Sequence, residues 1–334
     1  MKKTFIHHDG ALGDLLLSLP AISLIRKESG FVHLAGRADV VVLLLEAGMI
    51  DGASPVDSSN YASLYGDFPA PALRDFLERF DSSVVFTTIE KSAVPISIAS
   101  VSPDTRVIIT VPSDGIRTHV ADFRLGQLGG RRSEPPPLIQ LPPKRMDDAR
   151  EYLLNTGYDF SRPLITVHPG SGGRRKCWPL NSYLSLISML CKRCDPFIIL
   201  FSGPAEDESV IESLEKFARG NPARSAHMNN RDLALVAAVI SMAHLHIGND
   251  SGISHLAGLL ASRSIVIFGP SDSLLWKPVG EKVCVVRSEE ECSPCNDECS
   301  RRCPERKCMD GISPERVFAV AERLFSGEGS GWSV

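Results

Sequence analysis

The chain has 334 residues, enough for two domains of ordinary size, and its 43% hydrophobic and 23% charged content is that of a globular protein. A net charge of -4 gives no overall basic field, which argues against non-specific nucleic-acid binding, and no apolar run approaches the roughly 20 residues that span a bilayer. Nine cysteines, an odd number, in a chain without an export signal argue for a reducing cytoplasm rather than a disulfide framework.

Lys2-Lys3 followed by the apolar run 15–25 mimics a signal peptide. His7, His8, Asp9 and Asp14 interrupt the approach to that run, and no small-x-small site precedes Arg26-Lys27-Glu28, so the stretch reads as folded chain. A strand is expected at 4–8, a loop at Gly10-Ala-Leu-Gly13, and an amphipathic helix at 14–28 that Pro20 kinks or splits. Further on come a strand at 31–35, a buried helix at 40–47 and a helix at 72–80. Strands at 83–89 and 106–110 follow, then a helix at 118–128 ended by Gly129-Gly130. Residues 133–143 hold five prolines in eleven positions, which suits an extended, stiff linker. Beyond a helix at 144–155 the alternation repeats. Strands are expected at 164–168, 196–201, 244–247, 264–268 and 282–286, and helices at 181–191, 207–218, 233–242 and 252–260. Short apolar strands between helices imply parallel sheets covered on both faces, here two of them joined by the linker. Such a pair suggests a ligand in a cleft lined by strand carboxyl ends.

Four stretches carry candidate chemistry. Asp14 follows the first strand, where it is either a helix cap or a carboxylate able to take a proton from a hydroxyl. His168-Pro-Gly-Ser-Gly-Gly-Arg-Arg-Lys-Cys-Trp-Pro179 combines flexible glycines, the Ser171 hydroxyl and the charges of Arg174, Arg175 and Lys176. It is an anion loop or a basic solvated loop, and it is not a Walker loop, since Gly-Lys-Ser/Thr is absent. Glu206, in Ser202-Gly-Pro-Ala-Glu206, is placed either to accept hydrogen bonds from ribose hydroxyls or to open the next helix as an exposed acid. Leu245-His-Ile-Gly-Asn-Asp-Ser-Gly-Ile-Ser-His-Leu-Ala257 reads as strand, turn and helix start. Ser251 and Gly252 sit where free amides and the helix dipole favour an anion, though a capped turn without ligand fits equally. No Gly-x-Gly-x-x-Gly occurs, which weakens a nicotinamide or flavin reading. Three anion-friendly loops at successive strand ends together suit a nucleotide diphosphate.

In this order the motifs resemble those of the lipopolysaccharide heptosyltransferases, glycosyltransferase family 9. The resemblance is carried by Gly13-Asp14 with Leu19-Pro20-Ala21, His168-Pro-Gly-Ser171 with Lys176-x-Trp178-Pro179, and Gly203-x-x-Glu206. It continues through Asn249-Asp-Ser-Gly-Ile-Ser-His-Leu-Ala257 and Phe268-Gly-Pro270. It implies a GT-B fold, two Rossmann-like doubly wound parallel-sheet domains facing a cleft. An acceptor-binding domain would span 1–142 and a nucleotide-sugar-binding domain 143–312, with a helix and tail at 313–334 packing back on the first domain. It implies inverting transfer of heptose from ADP-heptose to a lipopolysaccharide core (Kdo/heptose-lipid A) acceptor, in the cytoplasm and peripheral to the inner membrane. By the resemblance Asp14 is the general base, Lys176 stabilises the departing diphosphate and Glu206 binds ribose. Ser171, Ser251 and Gly252 line the diphosphate, Asp250 meets sugar hydroxyls, and His255 belongs to the same motif as a contact or a structural residue. No Asp-x-Asp pair occurs, in keeping with transfer that needs no bound metal cofactor.

Two features lie outside that scheme. Arg117, Arg124, Arg131 and Arg132 either bind acceptor phosphates or face water. Cys292, Cys295, Cys299, Cys303 and Cys308 are dense enough for a structural zinc or an iron–sulfur centre, yet fit no standard finger and are equally read as reduced thiols. Rival readings of the whole chain are a non-catalytic nucleotide-sugar-binding protein, which would have no use for Asp14, and a sugar-nucleotide epimerase, which would need no acceptor.

Overall fold

The central strands of this chain bury along nearly their whole length instead of alternating. β1 (Lys3–His8) is buried from its second residue, and β6 (Leu164–His168), β7 (Phe197–Ser202) and β10 (Ser264–Phe268) are buried throughout. That pattern belongs to sheets with helices on both faces. The structure is a computed structural model and describes residues 1–66, 68–113, 115–131, 136–295, 303 and 305–326.

The described residues divide into two units at 142/143. In the first, β1 is joined by β2 (Phe31–Gly36), β3 (Gly52–Pro55), β4 (Ser82–Thr87) and β5 (Thr105–Ile109) in the order β3-β2-β1-β4-β5. In the second, β6, β7 and β10 are joined by β8 (Ser225–Asn229), β9 (Leu245–Asn249) and β11 (Val283–Arg287) in the order β11-β10-β9-β6-β7-β8. Every adjacent pair runs parallel. Both are doubly wound sheets, and in each the winding reverses once, between β1 and β4 and between β6 and β9. Open α/β sheets bind ligands at the strand carboxyl ends beside such a reversal.

The first unit carries α1 (Leu12–Leu17), α2 (Leu19–Glu28), α3 (Ala38–Glu46), α4 (Pro71–Leu77), α5 (Ala93–Ala99) and α6 (Val120–Gly126). The single helix expected at 14–28 is two helices: α1 ends at Ser18, and Pro20 falls in the first turn of α2, where its missing N–H costs nothing. The second unit carries α7 (Pro143–Asn155), α8 (Leu180–Cys194), α9 (Glu208–Gly220), α10 (Leu233–Met242) and α11 (Gly252–Leu259). The terminal helix Pro314–Ser326, which the resemblance sends back to the first unit, contributes Val317, Val320, Ala321 and Leu324 to the core of the second and packs on α8. No helix of the described residues is long and apolar enough to cross a membrane.

Candidate active-site residues of the two units

At the reversal of the second sheet, β6 ends on His168 and β9 on Asn249. Asn249 is fully buried and uses its whole amide. Its Oδ1 accepts from Trp178 N at 3.0 Å and Tyr183 Oη at 2.9 Å, and its Nδ2 donates to Pro169 O at 2.7 Å and Gly170 O at 3.2 Å. Two donors face the oxygen and two carbonyls face the nitrogen, so only one amide orientation fits. One side chain thus ties the 168–179 loop and α8 to the end of β9. Trp178 Nε1 donates onward to Ile312 O at 2.8 Å.

The second-unit residues singled out in the sequence converge here in two linked chains. In the first, Lys176 Nζ meets Asp250 Oδ2 at 2.8 Å, His255 Nε2 stands 3.7 Å from Asp250 Oδ1, and Ser171 Oγ donates to Asp250 O at 2.8 Å. Burial alone would raise the Asp250 carboxyl, but the hydrogen bond from His255 and the charge of Lys176 outweigh it and hold it far below the usual carboxylate range. In the second chain, His168 lies between Glu206 Oε1, 3.5 Å from its Nε2, and Ser251 Oγ, 3.3 Å from its Nδ1. Gly203 N donates to Glu206 Oε2 at 2.5 Å. Burial opposes ionisation of Glu206, yet His168 and the Gly203 amide leave it below its ordinary value. Gly170 is required by this arrangement, because a Cβ there would collide with Glu206 Oε1. Ser251 caps α11, its side chain accepting from Ser254 N, and Gly252 is the first helical residue. First-turn amides have no intrahelical partner, which makes this end suited to phosphate oxygens.

Beside these chains lies a cavity of about 180 Å³ lined by Gly170, Ser171, Arg174, Trp178, Glu206 and Arg306 among others. Arg306 was not singled out by sequence. It reaches the cavity by donating from Nη1 to Arg174 O at 3.0 Å. A buried acid and a hydroxyl on one cavity, linked through His168 to the start of α11, can bind a ribose and its attached phosphates.

In the first unit, α1 has Ala11 at its cap position without a side-chain bond, so Asp14 is not the helix cap. Its carboxylate is held instead by Arg124 Nη2 at 3.3 Å. The Arg124 side chain is 0% exposed while that of Asp14 is 40% exposed, so a buried cation braces a carboxylate that stays open to solvent. Both readings of Arg124 from sequence, acceptor phosphate or water, are therefore corrected. Its guanidinium is spent inside, donating to Asp14 O, to Ser18 Oγ at 2.8 Å and to Thr110 O at 2.9 Å. Burial lowers its pKa to about 10 against the support of Asp14. His8 completes the network: its Nδ1 accepts from Gly10 N at 3.1 Å, leaving Nε2 to donate to Ser18 Oγ at 2.9 Å. Burial and the neighbouring Arg124 charge keep that imidazole neutral, as this donor pattern needs. Arg131 is exposed, and Arg132 lies outside the described residues.

Of the cysteine cluster, Cys299 lies outside the described residues, and among the described residues no three His, Cys, Asp or Glu groups are placed to hold a metal. Cys292, Cys303 and Cys308 are free thiols, and Cys295 Sγ lies 3.2 Å from Cys292 O. Burial, with the three neighbouring thiols, pushes Cys308 up to about 11.

The description "Glycosyltransferase family 9 (heptosyltransferase)" matches residues 123–305. Lipooligosaccharide heptosyltransferase 2 of Campylobacter jejuni is 26% identical over 167 residues, covering 49% of this chain and 51% of that one. The chain thus spans about half the length of that curated relative. Among solved structures, the glycosyl transferase family 9 protein from Veillonella parvula superposes with a TM-score of 0.79 at 19% identity, over 98% of each chain. The E. coli ADP-heptose LPS heptosyltransferase II superposes with a TM-score of 0.75 at 18% identity, over 98% of this chain and 100% of that one. At such identity the superpositions establish the fold, the GT-B pair of doubly wound sheets. The family match covers more than half of the sequence, and the chain belongs to glycosyltransferase family 9, the heptosyltransferases.

Proposed function

We infer that the chain transfers heptose from ADP-heptose to a sugar of the lipopolysaccharide core, with inversion at the anomeric carbon and Asp14 as general base. The observation that carries this reading is the bracing of Asp14. A carboxylate serving only local structure would bond nearby amides. Asp14 is instead oriented by a buried guanidinium and kept accessible. In the reaction Asp14 takes the proton of the acceptor hydroxyl, whose oxygen forms the new bond to the anomeric carbon. The bond from that carbon to the diphosphate oxygen breaks on the opposite face, and ADP departs with the electron pair. The second unit binds the donor: Glu206 accepts from the ribose hydroxyls, and Ser171 with the start of α11 meets the diphosphate. Lys176 shifts part of its charge from Asp250 to the departing phosphate. Lys176 and the helix start together supply the positive field, so turnover is expected to persist in EDTA. An acceptor of this kind is lipid-linked, which places the reaction at the cytoplasmic face of the inner membrane.

Support also comes from the names of relatives, an ADP-heptose LPS heptosyltransferase and a lipooligosaccharide heptosyltransferase among them. The test is turnover of ADP-heptose on a heptose-deficient core acceptor by wild type and Asp14→Asn. The substitution is expected to lower kcat about a thousandfold with ADP affinity unchanged. Undiminished turnover by the variant removes Asp14 as the base. Firm ADP binding with no turnover on any acceptor assigns the chain to the nucleotide-sugar-binding proteins.

A further inference from the structure

The first sheet has a cavity of its own at its winding reversal. It measures about 200 Å³, and its walls include His7 and Asp9 from the end of β1 and Phe86 and Thr87 from the end of β4, with Tyr65 from the segment before α4 and Ser92 from the segment after β4. Three observations give it a chemistry. His7 is buried, yet among the described residues neither ring nitrogen has a hydrogen-bond partner. Buried polar groups are normally paired, so an unpaired one on a cavity wall marks where a ligand atom would complete it. Tyr65 is 63% exposed, an aromatic face held at the cavity with nothing of the protein covering most of it. Finally, among the described residues Asp9 is the one acid lining the cavity, and no Lys or Arg lines it. Burial lowers His7 to about 4 against the pull of Asp9, so the imidazole carries no charge at neutral pH.

An anionic ligand would meet a carboxylate and no cation here. A neutral polyhydroxyl ring meets a carboxylate acceptor, an aromatic surface for its C–H face, and the imidazole of His7, whose buried nitrogens can donate at one and accept at the other once a ligand hydroxyl reaches them. The Thr87 and Ser92 hydroxyls point their protons to Ile89 O at 3.3 Å and 2.9 Å, which leaves oxygen lone pairs as acceptors for sugar hydroxyls.

We propose that this cavity, walled by His7, Asp9 and Tyr65, is a subsite for one uncharged sugar residue of the acceptor. The word acceptor rests on the transfer reading above; the binding of a neutral sugar does not. The subsite discriminates against carboxylated or phosphorylated residues at this position.

The full chain, without donor, is titrated with the methyl glycoside of a neutral heptose, with the methyl glycoside of Kdo, and with inorganic phosphate. Binding is followed by calorimetry and saturation-transfer NMR. The heptoside is expected to bind saturably, and neither anion is expected to displace it. His7→Phe, which keeps a ring but removes both nitrogens, and Tyr65→Ala at an exposed position should each weaken the heptoside about tenfold while ADP affinity stays the same. His7→Phe should leave the thermal midpoint equal or raised, since it deletes two unpaired polar atoms. Heptoside affinity equal in wild type and both variants overturns the subsite, as does displacement by either anion. Heptoside binding that is lost in the variants of a chain showing no heptosyl transfer upholds the subsite and removes the transfer reading. Intact transfer with an unchanged acceptor KM in both variants does the reverse.

Discussion

The two sheets are wound alike, but their reversals are furnished in opposite ways. Around β6 and β9 the protein's own groups answer one another: Asn249 makes four bonds, Asp250 is met by Lys176 and His255, and His168 spans Glu206 and Ser251. What stays open there is single atoms, His255 Nδ1 and Arg175 Nη1 among them. Around β1 and β4, Arg124 and His8 form an equally closed network behind Asp14. Directly beside it His7 leaves a whole imidazole unanswered. The second reversal is a charged frame that a charged ligand enters by exchanging partners, as a phosphate would with Asp250 for Lys176. The first is a braced carboxylate next to a cavity that, among the described residues, no cation lines. A nucleotide diphosphate suits the one and a neutral hydroxyl-bearing ligand the other.

The largest break in this contrast is expected from Arg124→Gln. It strands Thr110 O, leaves Asp14 O to Ser18 Oγ and removes the partner of a carboxylate, which should cost about 3 kcal/mol, read as a fall in urea midpoint at constant slope. Transfer should drop in kcat with little change in acceptor KM, because Arg124 positions Asp14 and touches no substrate. Arg124→Lys should recover part of the stability and less of the rate, since an ammonium cannot reach Thr110, Ser18 and Asp14 together. Equal kcat in all three proteins would dismiss Arg124 as a positioning residue. Asn249→Ala comes next, at about 3 kcal/mol, because its loss leaves Pro169 O, Gly170 O, Trp178 N and Tyr183 Oη unpaired. ADP affinity should fall with it, as the 168–179 loop loses its tie to β9. A loss under about 1 kcal/mol would mean that the frame is not held from Asn249.

Much of this fold is legible in sequence for a physical reason. Strands buried on both faces are written as short apolar runs such as Leu-Ile-Thr-Val-His at 164–168 and Ser-Ile-Val-Ile-Phe at 264–268, and both were read with their observed bounds. Edge strands lack that pressure. β3 is Gly-Ala-Ser-Pro and β8 is Ser-Ala-His-Met-Asn, half-buried and polar, and neither stands out from a loop. α5, Ala-Val-Pro-Ile-Ser-Ile-Ala, was hidden by its internal Pro95. At the candidate site, the spacing singles out Ser171, Lys176, Glu206, Asp250, Ser251 and Gly252, which the fold gathers at one end of the second sheet. The pairings stay hidden, because Arg124 lies 110 residues from Asp14, and Asn249 about 80 from Pro169. His7 is hidden differently. Its sequence neighbours mark it as a buried strand residue, and only the fold shows that among the described residues no group hydrogen-bonds its ring nitrogens.

Acid should reach His7 before Asp250. Between its folded value of about 4 and its ordinary 6.5, His7 binds fewer protons folded than unfolded. Its contribution to stability is therefore complete above about 6.5 and drains as the pH falls toward 4, by about 2 kcal/mol at pH 5. His8 and His246, lowered in the same direction by burial, add to the slope. Asp250, held low by His255 and Lys176, keeps its contribution through this window and loses it only well below the ordinary carboxylate value of 3.8. His7→Phe should flatten the stability curve between pH 7 and 5 by its own share. A curve parallel to that of wild type would show that His7 is not the buried neutral group described.

The smallest effect tests the second reversal alone. Gly170→Ala adds one carbon where Glu206 Oε1 lies, with backbone angles that alanine can adopt, so the methyl must displace the acid. Glu206 is held from two sides, by Gly203 N and by His168, and moving it breaks both. Nothing in the first unit depends on this contact. The expected outcome is about tenfold weaker ADP binding with unchanged heptoside binding, the size of one lost hydrogen bond to a charged group. Glu206→Gln keeps the shape, surrenders the charge and should weaken ADP by a similar factor. If Gly170→Ala weakens ADP while Glu206→Gln does not, the cavity needs the side chain's shape rather than its charge, and ribose recognition passes to Ser171 and Arg306. If both variants bind ADP as wild type does, the adenosine end of the nucleotide lies elsewhere than this cavity.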